Sequence, residues 1–496
     1  MPAGNNTSPA QSARIHAPQP YIPDAAKIAD STRAALAALE PTPHAEILNR
    51  LIADVKQVDF RELAGITDDP DKKLNRQHMT VCAVDEILQL ATKRHWSLAK
   101  ADGFIYLYNG AFWKEIPTDD LKTFLGEAAE RLGIETTTAR YYEFRDGLYK
   151  QFMAVSCLPT PTPEPGRVLI NLRNGTFEVG HKGHRLREPD RHDFLKYRLE
   201  FDYNPAAKCP MFNTYLNKVL PEKALQNILA EFIGYVFVSP KVLKLEKTLL
   251  LHGGGSNGKS VFFEIINALL GTANVTSFSL KSLTDENGYF RAKLANSLLN
   301  YASEISGKLE SSMFKALTSG EPVEARLPYK EPFLLTEYAK MMFNVNELPR
   351  ETEQTHAFFR RFCIVPFNVR IPEGEQDKRL SSKIIASELS GVFNWVLGGL
   401  NRLLEQGGLT DSPTAAAALE QYKLESDSVQ MFLADREHAP GTARTLPLQG
   451  LFDDYQVFCK DELNKPVSMK RFSQRIQNQG FKVEKTRNGR AVYMAV

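Results

Sequence analysis

The chain has 496 residues, of which 43% are hydrophobic and 24% charged, and its formal net charge is +2. These values are typical of globular proteins and exclude a wholly disordered or fibrous chain, and the length predicts about three domains. No apolar run approaches the ~18 residues that a membrane-spanning helix needs, and residues 1–19 lack a signal-peptide pattern. The five cysteines lack the spacings of a metal site. The sequence therefore predicts a cytoplasmic, multidomain protein without a membrane partner.

Composition and periodicity divide the chain into five parts. Residues 1–24 are rich in Pro, Ala, Asn, Gln and Ser, which predicts a flexible arm. Residues 25–160 combine helical periodicity with a hairpin and predict an N-terminal α+β module. Residues 161–245 predict a hairpin and two helices, and residues 246–406 alternate strands with helices as an α/β nucleotide-binding domain does. A Gly/Pro-rich boundary then precedes a small C-terminal unit at residues 414–496.

A glycine-rich octapeptide follows the apolar strand at residues 247–252 and precedes an apolar helix. It consists of Gly253, Gly254, Gly255, Ser256, Asn257, Gly258, Lys259 and Ser260. This is a complete P-loop, in which glycines let backbone N–H groups surround phosphate oxygens. Lys259 would place a positive charge on the β- and γ-phosphates, and the Ser260 hydroxyl would bind Mg²⁺. The sequence therefore predicts a site for a nucleoside triphosphate such as ATP with Mg²⁺.

Two later strands end in polar residues that could complete this site. The strand at residues 297–303 is followed by Glu304, which we predict to organise metal-bound water, although a capping or surface role is the alternative. Ser303 stands where the two-acid form of this motif has an aspartate. The next strand ends in Asn346, which suits sensing of the γ-phosphate, and Asn344 on the same face is the second choice.

Arg360 and Arg361 precede a further apolar strand. Paired arginines in this position can stabilise transition-state charge, usually in the site of a neighbouring subunit. A pair of surface salt bridges is the alternative interpretation.

A short hairpin is predicted between these strands, over residues 323–333. Its tip brings together Arg326, Tyr329 and Lys330. An aromatic ring and cations on an exposed loop suit stacking and phosphate contacts with single-stranded nucleic acid. The alternative is a solvated hairpin with no partner.

The C-terminal unit has the outline of a winged helix. Helices are predicted at residues 427–435, 448–463 and 468–479, and strands at residues 481–485 and 490–493. Residues 465–490 contain eight basic residues and one acid. This bias predicts DNA phosphate contacts, although many winged helices bind proteins instead. The candidate contacts are Lys470, Arg471, Arg475, Lys485 and Arg487.

Taken in order, these motifs resemble a superfamily 3 helicase. The order is the P-loop, Glu304, the lysine-tipped hairpin, Asn346-Glu347-Leu348-Pro349 and the arginine pair. More specifically, residues 75–496 resemble the C-terminal half of phage, plasmid and satellite primase-helicases related to the poxvirus primase-helicase. Further similar segments are Asn171-Leu172-Arg173-Asn174-Gly175, residues 201–205 with Cys209-Pro210, and residues 388–395.

The resemblance implies an AAA+ type ATPase that forms a hexameric ring and unwinds forked DNA by translocating on single-stranded DNA. It makes Glu304 the Walker B acid, Asn346 sensor 1 and Lys330 the DNA-contacting hairpin tip. It also favours Arg361 over Arg360 as the finger. Only about 75 residues precede the resemblance, without metal-binding acids or zinc ligands, so we expect this chain to lack priming activity. A separately encoded primase or polymerase could supply it.

The sequence thus predicts an ATP-dependent replicative helicase of a mobile element in the cytoplasm of a bacterial host. One rival is an initiator that recognises an origin and uses ATP for assembly. Another is a loader or scaffold that uses ATP only as an assembly switch. ATP-dependent unwinding of a forked duplex would separate the helicase from both rivals.

Overall fold

The computed structural model describes residues 40–69, 71–101, 103–158, 164, 166–180, 183–303, 310–328, 330–346, 348, 355–462, 466–487 and 489–495. The predicted flexible arm, Glu304 and Tyr329 lie outside these residues. Elements are numbered along the described part of the chain.

The N-terminal module joins helices to a three-stranded antiparallel sheet. Its elements are α1 (His44–Asp54), α2 (Phe60–Leu63), α3 (Arg76–Lys93), β1 (Ser97–Ala101), β2 (Phe104–Tyr108), β3 (Trp113–Glu115), α4 (Thr118–Arg131), α5 (Thr136–Arg140) and α6 (Tyr142–Val155). The hairpin predicted within residues 25–160 is confirmed as β2 and β3, which are joined by a turn at Asn109-Gly110. In this turn Asn109 Oδ1 accepts backbone N–H bonds from Ala111 and Phe112 (both 3.0 Å). Strand β1 was not predicted, because its sequence Ser-Leu-Ala-Lys-Ala has weak strand propensity.

The next part supplies a second antiparallel sheet and two helices. They are β4 (Val168–Leu172), β5 (Gly175–Gly180), β6 (Gly183–Arg187), α7 (Pro210–Val219) and α8 (Lys223–Tyr235), with a 3-10 turn at Arg191–Asp193. Their buried residues share one hydrophobic core with the α/β domain that follows, including Leu249 and Phe262. The part predicted at residues 161–245 is therefore not a separate folding unit.

A five-stranded parallel sheet forms the centre of the molecule and confirms the predicted mixed α/β class. Its elements and those around it are β7 (Thr248–His252), α9 (Lys259–Leu270), β8 (Val275–Thr276), α10 (Leu280–Leu283), α11 (Tyr289–Ala292), β9 (Leu299–Ala302), α12 (Ser311–Ser319), β10 (Val323–Ala325), β11 (Phe333–Leu335), β12 (Lys340–Val345), α13 (His356–Phe359) and β13 (Phe362–Pro366). A 3-10 turn, Thr272–Asn274, precedes β8. The strand order is β13-β7-β12-β9-β8, so β7 lies inside the sheet. Such buried parallel strands are continuously apolar, as Leu249, Leu250 and Leu251 are.

The remaining elements complete the α/β domain and build a C-terminal unit. They are α14 (Leu380–Ser387), α15 (Leu389–Gln406), α16 (Pro413–Ser426), α17 (Ser428–Asp435), β14 (Pro440–Pro447), α18 (Leu448–Asp461), α19 (Met469–Asn478), β15 (Lys482–Thr486) and β16 (Gly489–Met494), with a 3-10 turn at Glu373–Glu375. Strands β14, β16 and β15 form a three-stranded antiparallel sheet in that order.

The structure differs from the predicted domain boundary at residue 414. Helix α16 packs against the α/β domain, because Tyr422 is buried with its ring 5.4 Å from Phe359 and 5.7 Å from Phe362, measured between ring centroids. The separate core of the C-terminal unit begins at Val429. The Gly and Pro residues that begin near residue 407 mark the end of helix α15, but they do not mark the end of the domain.

Candidate functional site

The glycine-rich loop lies at the carboxyl end of β7 and is tied to both neighbouring strands. Gly253 N–H donates to Val345 O (3.1 Å) at the end of β12, and Phe367 N–H, just after β13, donates to His252 O (2.7 Å). Ligands of open parallel sheets bind outside these carboxyl ends. The glycine-rich loop therefore lies where a ligand-binding site is expected in such a sheet.

Two positions in the loop require glycine. A Cβ on Gly253 would lie 2.5 Å from the carbonyl oxygen of Phe367, and one on Gly258 would lie 2.7 Å from Val219 Cγ1. Gly258 also has a φ of 91°, which strains any other residue, and it begins α9. The loop therefore turns directly into the helix, whose first N–H groups are free to bind an anion.

Lys259 is held inside this loop. Its side chain is only 6% exposed, and its Nζ donates to Gly253 O and to Asn257 Oδ1 (3.2 Å). Burial lowers the pKa of this ammonium group. Ser260, one residue later, is exposed at the start of α9. The structure thus brings a poorly solvated cation and an exposed hydroxyl group to one helix end.

A cavity of about 740 Å³ opens beside the loop. One face of α7 lines it through residues at helical spacing: Pro210, Met211, Thr214, Tyr215, Lys218 and Val219. The segment from Ile371 to Leu380 lines it as well, and Lys218 Nζ lies 2.7 Å from Glu375 Oε2 in that segment. The sequence analysis recognised α7 as a helix but did not assign it to the site, because nothing local shows what a helix packs against.

The strand-end residues are only partly described. Ser303, which precedes Glu304, and the exposed Asn346 both line the cavity. Asn344 also lines it, but its Oδ1 accepts a hydrogen bond from the buried Tyr301 hydroxyl (2.9 Å). Asn346 is therefore the more exposed of the two amides, and its role as the first-choice sensor stays a prediction.

The two arginines differ sharply in their surroundings. Arg361 is 7% exposed, and its guanidinium donates to Ser319 Oγ (2.9 Å) and to the carbonyl oxygens of Ala357 and Lys315. Arg360 is exposed and forms an ion pair with Glu246 (2.7 Å). The structure therefore does not present Arg361 to a neighbouring molecule, contrary to the sequence-based preference for it over Arg360.

Neither arginine can reach the glycine-rich loop of its own chain. Phe362 pairs with Thr248 at the amino end of β7, and Thr248 N–H donates to Arg361 O (2.7 Å). The loop begins at the other end of that strand, five residues further on, which is about 17 Å away at roughly 3.3 Å per residue. Any role in nucleotide chemistry would therefore be played in another copy of the chain.

The predicted hairpin is present as β10 and β11, and it ends in exposed cations. Lys330 and Arg326 are both exposed, and Arg326 Nε donates to Lys330 O (3.1 Å), which closes the turn. Two exposed aromatic residues that the sequence analysis missed, Tyr289 and Phe290, lie on the neighbouring helix α11. Arg291 of that helix fixes it to the hairpin by donating to Glu324 O (2.7 Å).

The basic residues of the C-terminal unit do not share one environment. Lys470, Arg471, Lys485 and Arg487 are exposed. Arg475, in contrast, forms an ion pair with the buried Asp427 (2.8 Å), which caps α17. The structure thus gives Arg475 an internal partner, whereas the other four side chains are exposed to solvent.

Two absences apply to the described residues only. No helix among them is both long and apolar enough to cross a membrane. They also contain no group of three or more His, Cys, Asp or Glu side chains arranged to hold a metal ion.

Two family models match the chain, and curated relatives match it as well. A model described as D5 N terminal like covers residues 74–221, and a family of unknown function (DUF5906) covers residues 251–361. One such relative, a putative helicase L207/L206 of Acanthamoeba polyphaga mimivirus, is 24% identical over 326 residues. The chain resembles the C-terminal half of a phage-type primase-helicase. The matched region is 59% of this chain but only 33% of the relative, so the chain spans about a third of that protein.

Solved structures similar to this chain include two apo forms of the NrS-1 C terminal region. The A form has a TM-score of 0.46 and 10% identity, and the match covers 82% of this chain and 98% of that one. Another apo structure of the same region has a TM-score of 0.43 and 11% identity, with the same coverage.

Proposed function

We propose that the protein is an ATP-dependent DNA helicase that acts in replication of a mobile element. In this proposal the central domain is an AAA+ type P-loop ATPase of superfamily 3, and the C-terminal unit is a winged helix. The observation that carries the proposal is the placement of the loop with Lys259 beside Asn346 at one sheet edge, opposite the arginines. The matching mimivirus protein, described as a putative helicase, supports the same class.

Nucleotide binding would use the loop and the start of α9. Their N–H groups would hold the phosphates, and the desolvated Lys259 ammonium would gain a counter-charge on binding. The Ser260 hydroxyl and the carboxylate of Glu304 are oxygen donors of the kind that Mg²⁺ prefers, with phosphate and water completing the shell. Mg²⁺ would neutralise phosphate charge, while Asn346 and Glu304 would position the attacking water.

Hydrolysis would be completed by Arg360 of an adjacent copy. Both arginines lie at the sheet edge remote from their own nucleotide loop, so a contribution to catalysis requires a second chain. Of the two, Arg360 is exposed, and its ion pair is with the partly exposed Glu246. A head-to-tail contact that repeats this pairing closes into a ring, and a hexamer is the size we propose.

DNA contact would combine the hairpin tip with the neighbouring aromatic residues. Lys330 and Arg326 supply charge for phosphates, and Tyr289 and Phe290, which are 40% and 43% exposed, supply surfaces for stacking. Because Arg291 ties the two elements together, they would move as one unit when hydrolysis shifts the domain. The four exposed basic residues of the C-terminal unit would bind duplex or forked DNA.

Unwinding of a forked duplex tests the proposal. We expect ATP and Mg²⁺ to drive strand release by the intact chain, and Lys259→Ala to abolish it while DNA binding persists. Binding of ATP without any strand release would instead favour the second candidate, an initiator or ATP-switched loader. The basic C-terminal unit is the observation that supports this candidate, since it could recognise duplex DNA without translocation.

A further inference from the structure

Two segments that carry part of the helicase resemblance lie against each other, although the proposed mechanism gives them no role. The loop at residues 204–209 precedes α7, and the amino end of α15 covers it. Asn394 Nδ2 donates to Asn204 O (2.9 Å) and Ala207 O (3.0 Å), and Asn204 N–H donates to Ser390 Oγ (3.1 Å). The helix therefore holds this loop through its backbone.

Helix α15 and the loop at residues 204–209 are so close that one cannot shift along the other. A Cβ on Gly391 would lie 2.3 Å from the carbonyl oxygen of Lys208 and 2.9 Å from the nitrogen of Cys209. One turn further along α15, the Trp395 ring packs edge-on against Phe212 of α7, with 5.0 Å between ring centroids. The register between α15 and the start of α7 is therefore fixed.

Glu388 makes the connection to α7 specific. Its side chain is only 4% exposed, and its two carboxylate oxygens accept the N–H groups of Met211 and Phe212, each at 2.9 Å. These donors belong to the first turn of α7, where they have no partner inside the helix, and Pro210 before them has no N–H. A carboxylate at this end also complements the helix dipole. Glu388 thus caps a helix that lies far away in sequence.

Helix α7 runs away from the glycine-rich loop along the cavity. Its last turns lie at the loop, because Tyr215 Oη donates to Gly258 O (2.8 Å) and Val219 would touch a Cβ there. At 1.5 Å per residue, Met211 lies about 12 Å from Val219 along the helix axis. That separation suits the distance from the phosphates to the base of a nucleotide. At this far end the helix lines the cavity with the apolar residues Pro210 and Met211, and Leu380 is a further apolar residue of the cavity lining.

We propose that Glu388 is a positioning residue for the nucleobase. By capping the first turn of α7, it holds the apolar wall against which the base of the bound triphosphate packs. The phosphates are held by a separate segment, the glycine-rich loop. This inference rests on the proposed nucleotide-binding function, and it assigns a role to residues 204–210 and 388–395 together.

Comparison of a complete nucleotide with a ligand that has no base provides the test. ATP and inorganic tripolyphosphate would be titrated into the full chain by calorimetry with Mg²⁺ present. For Glu388→Gln, which leaves one N–H donor facing an amide NH₂, we expect ATP affinity to fall about tenfold, a loss of about 1.4 kcal/mol. Tripolyphosphate affinity should stay within twofold, and the KM for ATP hydrolysis should rise more than kcat falls.

Glu231→Gln is the matched control. Glu231 is also fully buried, but its carboxylate accepts bonds from Arg402 and Thr410 rather than from α7, and it is not among the residues that line the cavity. Its variant should lose thermal stability without changing the ratio of the two affinities. If Glu388→Gln does not fold, Asn394→Ala, which removes two bonds to the loop, should shift the ratio in the same direction.

Two outcomes overturn the inference. One is an unchanged ATP affinity in the folded variant, and the other is an equal loss of ATP and tripolyphosphate affinity. Failure of the wild-type chain to bind either ligand would instead refute the proposed function itself, so the two failures are distinguishable.

Discussion

Lys259 combines burial with charge in a way that only an anionic ligand makes favourable. Its Nζ donates hydrogen bonds to the carbonyl oxygen of Gly253 and to Asn257 Oδ1. Burial lowers the pKa of the ammonium group, so its charged form destabilises the protein when the site is empty. We expect Lys259→Met to keep or raise the melting temperature of the nucleotide-free protein. Hydrolysis should fall at least about 100-fold, as for loss of one transition-state donor. Thermal unfolding and phosphate release measure the two effects, and a large drop in melting temperature would contradict this account of the site.

The two adjacent arginines differ in what their removal should cost. Arg361→Ala leaves buried acceptors such as Ser319 Oγ without a donor, so we expect a loss of about 2 kcal/mol or more in the free energy of unfolding. Arg360→Ala removes a largely exposed pair with Glu246, which contributes about 0–1 kcal/mol. Urea unfolding of both variants gives the comparison. Equal losses, or a larger loss for Arg360→Ala, would show that their environments are not as described.

At the scale of elements, the hairpin of β10 and β11 ends in exposed side chains that the packing of the domain does not require. The Lys330 side chain is exposed, whereas its backbone carbonyl closes the turn with Arg326. We therefore expect Lys330→Ala to keep basal ATP hydrolysis within about twofold and to lose most stimulation by single-stranded DNA. Lys150→Ala, which removes an exposed lysine from α6, is the matched control and should retain stimulation. Equal stimulation of both variants would exclude the tip as a DNA contact.

Some basic residues of the C-terminal unit are exposed on its surface, whereas Arg475 pairs with a buried residue inside it. Lys470→Ala and Arg471→Ala should each weaken DNA binding and reduce the slope of log affinity against log salt by about 1, since each removes a phosphate contact. Arg475→Ala should instead lower the melting temperature, because it leaves the buried Asp427 unpaired. Fluorescence anisotropy across a salt series, with thermal unfolding, separates the two classes. A change in salt slope for Arg475→Ala alone would reverse the assignment.

Local pattern predicted most of the elements, and long-range packing accounts for what it did not predict. The strand, loop and helix around Lys259 follow from glycine chemistry and apolar periodicity, both of which are local. The burial of Arg361 does not, because neighbouring residues point to different sides and the sequence does not show which side is covered. The packing of α16 against the α/β domain depends on Phe362, which is far away in sequence. The role of Glu388 depends in the same way on the distant Met211.

At the scale of the whole molecule, the proposed function would have each chain hold two halves of a reaction centre at opposite ends of one sheet. The nucleotide loop follows the carboxyl end of β7, while Arg360 precedes β13 at the amino ends. A single chain therefore cannot join the halves, but a head-to-tail contact can. It follows that hydrolysis should depend on assembly even though nucleotide binding need not.

Two inactive variants should restore activity to each other when they are mixed. The Lys259→Ala variant retains the native Arg360, and the Arg360→Ala variant retains the native glycine-rich loop with Lys259. In an equal mixture, random assembly gives about a quarter of interfaces with both native residues. We expect ATP hydrolysis to recover to a comparable fraction of the wild-type rate, and to fall when the mixture is diluted below its association range. A mixture as inactive as its components would exclude Arg360 from the site of a neighbour, and activity that is insensitive to dilution would exclude shared sites altogether.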